Sequence, residues 1–443
     1  MSPAHPVVIV GGGWAGLAAA LELNAHGIPV SLYESAPQLG GRARNAPFNE
    51  FTVDNGQHLL IGAYSEILRL LTMIGVDEGA VLERTRLCLK VLEGDKQLVM
   101  RPPALPAPLH LAWALLTAEG LSPGARLRAL AMSLRLMLNG FRLDEDVSVS
   151  ALLRRHHQGE TITRRFWEPL CLATLNTPLE SASAQIFLRV LQDSFSRRRH
   201  DADLLIPREP LGTLFPQRAA KYLTRRGASI QSRQRVEALH IQDQNIEGLT
   251  VSGQRLDCRE VIIATSPLAA VRLLEGHTEL APLSREISEL GSQPITTLYL
   301  QYPPQHRLEE VMLGMSGTVS QWLFDRRHCG QPGLIAVVIS ATGPHQQWNH
   351  ETLTANVLQE IQAQFPHWPA PLRSRVISER RATFECSVGV ESRRPANTTP
   401  IRGLWLAGDY TDTGYPATLE GAVRSGVECA RRLFEQRQHP TYL

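Results

Sequence analysis

Apolar positions along this chain fall into three kinds of pattern. Short solid runs stand near both ends: Val7-Val8-Ile9-Val10, Val30-Ser31-Leu32-Tyr33, Val261-Ile262-Ile263-Ala264 and Leu404-Trp405-Leu406-Ala407. Runs of that length, bounded by turn residues, read as buried strands. From Pro294 the pattern alternates, with Thr296, Leu298 and Leu300 opposing Thr297, Tyr299 and Gln301. Further strands over residues 317–324 and 334–340 then predict a sheet distinct from the first. Between residues 101 and 199 strand patterning is weak and helices are expected. A helix over residues 211–226 and strand pieces over 229–239 precede the third solid run.

The first run leads into Gly11-Gly12-Gly13-Trp14-Ala15-Gly16 and an Ala/Leu-rich helix, and the second ends in Glu34. Gly11 permits a tight turn, Gly13 lets backbone approach a pyrophosphate, and Gly16 lets helix and strand pack closely. The helix start offers free N–H groups to phosphate, and Glu34 can accept from a ribose diol. These are the parts of a Rossmann-like dinucleotide site. Two further segments favour FAD over NAD. Gln38-Leu39-Gly40-Gly41-Arg42-Ala43-Arg44 suits a basic loop passing under the pyrophosphate. Near the other end, the last run stops at Gly408-Asp409, and Glu420-Gly421-Ala422 opens a final helix whose amides can face the pyrimidine end of a reduced flavin.

With these residues the chain resembles the FAD-dependent amine oxidase and phytoene desaturase superfamily over essentially its whole length. Three stretches narrow the resemblance: residues 54–64 (DNGQHLLIGAY), residues 166–177 (FWEPLCLATLNT) and residues 414–422 (GYPATLEGA). They are similar to the squalene-associated flavoproteins of bacterial hopanoid synthesis, the hydroxysqualene dehydroxylases. The resemblance implies reduction of hydroxysqualene to squalene by reduced FAD, with loss of water. Signatures and resemblance together imply a non-covalent FAD site formed by Gly11, Gly13, Trp14, Ala15, Gly16, Glu34, Ser35, Gly40, Gly41, Arg42, Asn55, Gly56, Gln57, His58, Val236, Ala264, Gly408, Asp409, Thr418, Leu419, Glu420 and Ala422. An allylic hydroxyl leaves only when protonated, so a general acid is needed beside a dry channel. The candidates are His58, Glu168 and Asp412, with Phe166, Trp167 and Tyr415 as wall aromatics.

The expected architecture is α/β (α+β overall). Residues 1–88, 205–292 and 390–443 form the FAD-binding domain, and residues 89–204 and 293–389 a helical and mixed-sheet substrate domain. At 443 residues the chain exceeds a single core, and 43% hydrophobic with 20% charged residues describes a globular protein. A net charge of +2 gives no nucleic-acid signature. Six scattered cysteines with no metal-ligand spacing point to reduced thiols and no metal, and the start shows no signal-peptide pattern, so a cytoplasmic site is expected. Residues 106–141 combine Leu127, Leu130, Leu134 and Leu138 with Arg126, Arg128 and Arg135. That mixture suits either a helix pair at the inner membrane face, reached by a polyprenyl substrate, or an ordinary helix over a domain core. No second nucleotide fingerprint follows, so the electron donor stays unnamed. The alternatives are a carotenoid-type desaturase or isomerase, a flavin amine oxidase, or a prenyl-lipid carrier without turnover.

Overall fold

The computed structural model describes residues 5–195 and 197–438. The expected domain segments also include positions 1–4, 196 and 439–443, which lie outside the described residues. Five short strands build a parallel sheet: β1 (Val7–Val10), β2 (Val30–Glu34), β3 (Ser229–Ser232), β4 (Val261–Ile263) and β5 (Leu404–Leu406). Their spatial order is β3-β2-β1-β4-β5. Every residue of β1, β4 and β5 is buried, which is why these runs are solidly apolar. The chain leaves β1 toward β2 and β3, then returns to the other side for β4 and β5. Such a switch opens a crevice at the carboxyl ends of the strands.

Five helices bear on the site: α1 (Trp14–Ala25), α2 (Ser65–Met73), α3 (Leu109–Leu116), α4 (Pro123–Leu138) and α5 (Leu419–Gln438). Three of them meet at one carboxylate. Glu22 of α1 is 4% exposed and pairs with Arg69 of α2 at 2.7 Å and Arg431 of α5 at 2.8 Å.

The second sheet has seven strands, in the order Arg373–Thr383, Gln293–Gln301, Leu334–Ser340, Trp322–Asp325, Met312–Met315, Leu89–Glu93 and Lys96–Met100. The alternation read from Pro294 has a direct cause. Leu298 and Leu300 pack with Leu353, Val357 and Ile361 of the helix His350–Gln364, while Tyr299 points to the main core. The strand expected over residues 317–324 is instead a hairpin. Gly317 takes φ +75°, so the chain turns between Met312–Met315 and Trp322–Asp325. Residues 101–195 are mainly helical, and no described helix is long and apolar enough to cross a membrane.

Candidate active site

Residues that follow β1, β2, β4 and β5 converge on one cavity of about 1130 Å³. Gly11, Gly13, Glu34, Ser35, Ala264, Gly408 and Asp409 line it, joined by Trp14, Ala15 and Val236. No side chain caps the start of α1 at Gly13, so its first amides and positive dipole end are left for a ligand. The Glu34 carboxylate accepts from Gly12 N–H at 2.8 Å and Ala36 N–H at 2.7 Å while still lining the cavity. Opposite, Gly41 takes φ +59°, and a side chain there would meet Gly13 Cα at 3.2 Å. Two bare backbones therefore face each other, a cradle that suits an anionic pyrophosphate. Trp14 closes one flank, its ring 4.7 Å from Phe215.

Arg42 and Asp409 both line the cavity, but they also bind one another. Arg42 Nη2 donates to Asp409 Oδ1 at 2.5 Å, and Nη1 to the Ala382 carbonyl at 2.6 Å. Burial works against the Arg42 cation, yet Asp409 outweighs it and holds the guanidinium pKa above its ordinary value. The basic loop is thus partly neutralised from within.

The segment 55–58 crosses between the two sheets. Asn55 N–H donates to the Arg44 carbonyl at 2.8 Å, and Gln57 N–H to Thr297 Oγ1 at 3.2 Å. Behind it lies an ion pair between residues that no sequence motif connects. Arg326, 1% exposed, meets Asp54 Oδ2 at 3.1 Å. The same guanidinium donates to Gln57 Oε1 and, at 2.6 Å, to Gln331 Oε1. Tyr299 completes the cluster by donating to the Asp54 carbonyl at 2.9 Å. Nothing in Arg326-Arg327-His328 distinguishes a buried guanidinium from a solvated basic turn.

Of the three acid candidates, only His58 lines the cavity. Its Nδ1 lies 2.6 Å from the Gly56 carbonyl, which can only accept, so Nδ1 carries the proton and Nε2 presents a lone pair. Burial lowers its pKa, with Asp54 and then the Gly56 carbonyl pulling the other way. Glu168 opens the helix Glu168–Leu175 beside the cavity but is not part of its wall; burial and then Glu180 raise its pKa. Asp412 is exposed and stands outside the wall.

Two expected cofactor residues do other work. Gly16 is absent from the wall; a side chain there would strike the Gly11 carbonyl, so it serves packing. Glu420 is fully buried and turned away from the cavity. Its carboxylate accepts from Glu66 N–H at 3.0 Å and Ile67 N–H at 3.1 Å, capping α2. Thr418, Leu419 and Ala422 do line the cavity, as do Ser35, Gly40, Asn55, Gly56 and Gln57.

Beyond the cradle the cavity turns apolar. Phe166 and Trp167, with ring centres 4.5 Å apart, form part of the wall with Leu170 and Leu191, and the lining continues into α3 and α4. Tyr415 contributes a polar edge. Its hydroxyl donates to Asp193, and the guanidiniums of Arg424 and Arg189 lie 4.6 and 5.3 Å from the ring centre. Asn176 ends its helix at φ 49°, and its amide ties the Pro294 carbonyl, Thr383 Oγ1 and Ala341 N–H together.

A nucleotide cradle gathered from remote segments, opening directly into a deep apolar chamber, defines a flavin-dependent oxidoreductase. The chain belongs to the flavin containing amine oxidoreductase family, whose model matches residues 14–434. It is 26% identical to a hydroxysqualene dehydroxylase of Zymomonas mobilis, over 97% of this chain and 98% of the relative. A hydroxysqualene dehydroxylase of Rhodopseudomonas palustris is 28% identical over 96% and 97%. A probable zeta-carotene desaturase of Synechococcus elongatus is 24% identical over 97% and 98%. The same fold appears in the solved cyclohexylamine oxidase of Brevibacterium oxydans, with a TM-score of 0.69 and 17% identity, covering 99% of this chain and 100% of that one.

Proposed function

We propose that this protein is an FAD-dependent hydroxysqualene dehydroxylase that works in the cytoplasm at the inner face of the membrane. The observation that carries the reading is the end-to-end similarity to enzymes of that name, joined to a cavity whose polar cradle runs into apolar walls. Glu34, Ser35, Val236 and Ala264 would hold the adenosine and ribose end. Gly11, Gly13, Trp14, Ala15, Gly40, Gly41, Arg42, Gly408 and Asp409 would hold the pyrophosphate and ribityl chain. Asn55, Gly56, Gln57, His58, Thr418, Leu419 and Ala422 flank the ring. No cysteine lines the cavity among the described residues, which supports non-covalent binding. When bound and reduced, FAD supplies hydride.

In the reaction the allylic C–O bond breaks, its oxygen takes a proton and departs as water, and the carbon gains hydride. The chain's own part is to exclude water and to deliver the proton. Phe166, Trp167, Leu170 and Leu191 keep the chamber dry and tolerate positive charge at the allylic carbon. His58 delivers the proton from Nε2 once that nitrogen is protonated. Its lowered pKa makes the imidazolium a strong donor but a minor species near neutrality.

The test is anaerobic. Dithionite-reduced enzyme is mixed with hydroxysqualene; reoxidation of the flavin with squalene appearing in step is the expected result. Reduced enzyme inert to the alcohol, with oxidised enzyme bleached by a polyene, would instead assign the desaturase reading that the Synechococcus relative favours.

A further inference from the structure

Eight of the eleven exposed large hydrophobic side chains among the described residues fall between Leu105 and Leu138. One face of α4 is accounted for: Ala125, Ala129, Met132 and Leu136 are buried in the main core. An ordinary amphipathic helix would be polar on the opposite side. Here that side carries Leu127 at 60% exposure and Leu138 at 75%, and the neighbouring α3 adds Trp113 at 54%. None of these three lines the cavity. Leu109, Leu134 and Met137 do both: they are exposed and they form part of the cavity wall. They are therefore its rim, and the cavity opens onto the apolar patch.

Charge selects the occupant. Across residues 102–143 Glu119 is the sole acid, against Arg126, Arg128, Arg135 and Arg142, in a chain whose overall net charge is only +2. Arg128, Arg135 and Arg142 are exposed, and Asp144 and Glu145 begin only beyond the patch. Apolar side chains projecting among arginines fit the headgroup and upper acyl layer of an anionic lipid surface. A protein partner would cover the rim and shut the cavity. A lipid layer covers it and leaves it open to anything dissolved in the lipid.

We propose that α3 and α4 form a port seated in an anionic membrane surface. A polyprenyl molecule passes from lipid to the chamber between Leu109, Leu111 and Leu115 on one helix and Leu130, Leu134 and Met137 on the other, without entering water. The identity of the travelling molecule rests on the dehydroxylase reading; the seating of the port does not.

The experiment uses flavin-loaded enzyme and two kinds of vesicle, phosphatidylcholine alone and phosphatidylcholine with phosphatidylglycerol. Wild type should sediment with the anionic vesicles. Leu127→Glu/Leu138→Glu, which alters only outward side chains, should cut that partition by roughly tenfold or more. It should process hydroxysqualene from detergent micelles at the wild-type rate and vesicle-embedded hydroxysqualene at least about tenfold more slowly. Arg128→Gln/Arg135→Gln should remove the preference for anionic over neutral vesicles. An unchanged thermal midpoint and flavin spectrum establish that each variant is folded. Equal vesicle binding by wild type and the Leu127/Leu138 variant, or equal consumption of embedded substrate by two forms that both consume it from micelles, overturns the port. Vesicle binding that follows the prediction while no form consumes hydroxysqualene from either source would sink the dehydroxylase reading and leave the surface standing.

Discussion

Arg42 and Asp409 stand at opposite ends of the chain, yet their side chains meet at 2.5 Å within the wall of the cavity. One follows the second strand and the other the last, so the pair joins the two segments that carry the flavin signatures. Asp409 is nearly buried, with its side chain 7% exposed, whereas Arg42 keeps 31%. Removing Asp409 therefore leaves a guanidinium that water can still partly reach, and the loss stays moderate. Asp409→Asn should weaken FAD binding by about tenfold, or ~1.4 kcal/mol. Titration of apoprotein with FAD checks this, and unchanged affinity would remove the pair from the cofactor site. Arg42→Ala/Asp409→Ala should lose less than the sum of the single changes.

The His58 assignment predicts a pH profile. With a pKa held below 6.5 by burial, fewer than about a quarter of molecules carry the imidazolium at pH 7. If His58 is the donor, single-turnover dehydroxylation should accelerate as pH falls from 8 to 6, and His58→Gln should flatten that rise. A profile unchanged by His58→Gln would assign the proton elsewhere.

Glu22 gives a stability test with a defined sign. Burial alone would raise its pKa, but Arg69 and Arg431 overcome that and depress it below 4.5. The native state thus binds fewer protons than the unfolded state between the two pKa values. The stabilisation is complete above the unfolded value near 4.5 and is lost as pH falls through the folded one. Both arginines are a third or more exposed, which limits the effect. Glu22→Gln should cost about 1–2 kcal/mol at pH 7 in denaturant unfolding, and the gap should close below pH 4.

The pair behind His58 should matter more. Arg326 and Asp54 are both almost wholly buried, so Arg326→Met strands a carboxylate in the core. A loss of roughly 3–5 kcal/mol is expected. Asp54→Asn added to Arg326→Met should recover part of it, because the uncompensated charge is gone. Additive losses in the double variant would show that the two side chains act independently.

How much of this was readable beforehand follows the range of the interactions. Solid runs and alternation are local, so the strands from Val7, Val30, Val261 and Leu404 and the two faces of Gln293–Gln301 were open to a reader of the sequence. So were the glycines of the cradle, because a turn signature is also local. What escaped depends on distance. Arg326 gains its meaning from Asp54, and Glu420 from the start of α2, partners that no spacing rule connects. Glu168 stood out as an acid in an otherwise apolar helix and Asp412 by its nearness to the cofactor motif, and the fold places neither in the cavity wall. The exposed face of α4 was half readable: its composition was plain, but only the structure separates Leu127 and Leu138 from the core-facing Ala129 and Leu136.

The order of the first sheet has a consequence for synthesis. Its central strand is the first to leave the ribosome, and β5, which supplies Gly408 and Asp409 to the cradle, is nearly the last. Until β5 and α5 are made, the nascent chain holds β4 with one edge unpaired and an apolar chamber lacking part of its wall. A chain that stops before β5 lacks Gly408, Asp409, Thr418, Leu419 and Ala422 from the cavity wall, so the cavity closes late in synthesis, after both sheets have most of their strands.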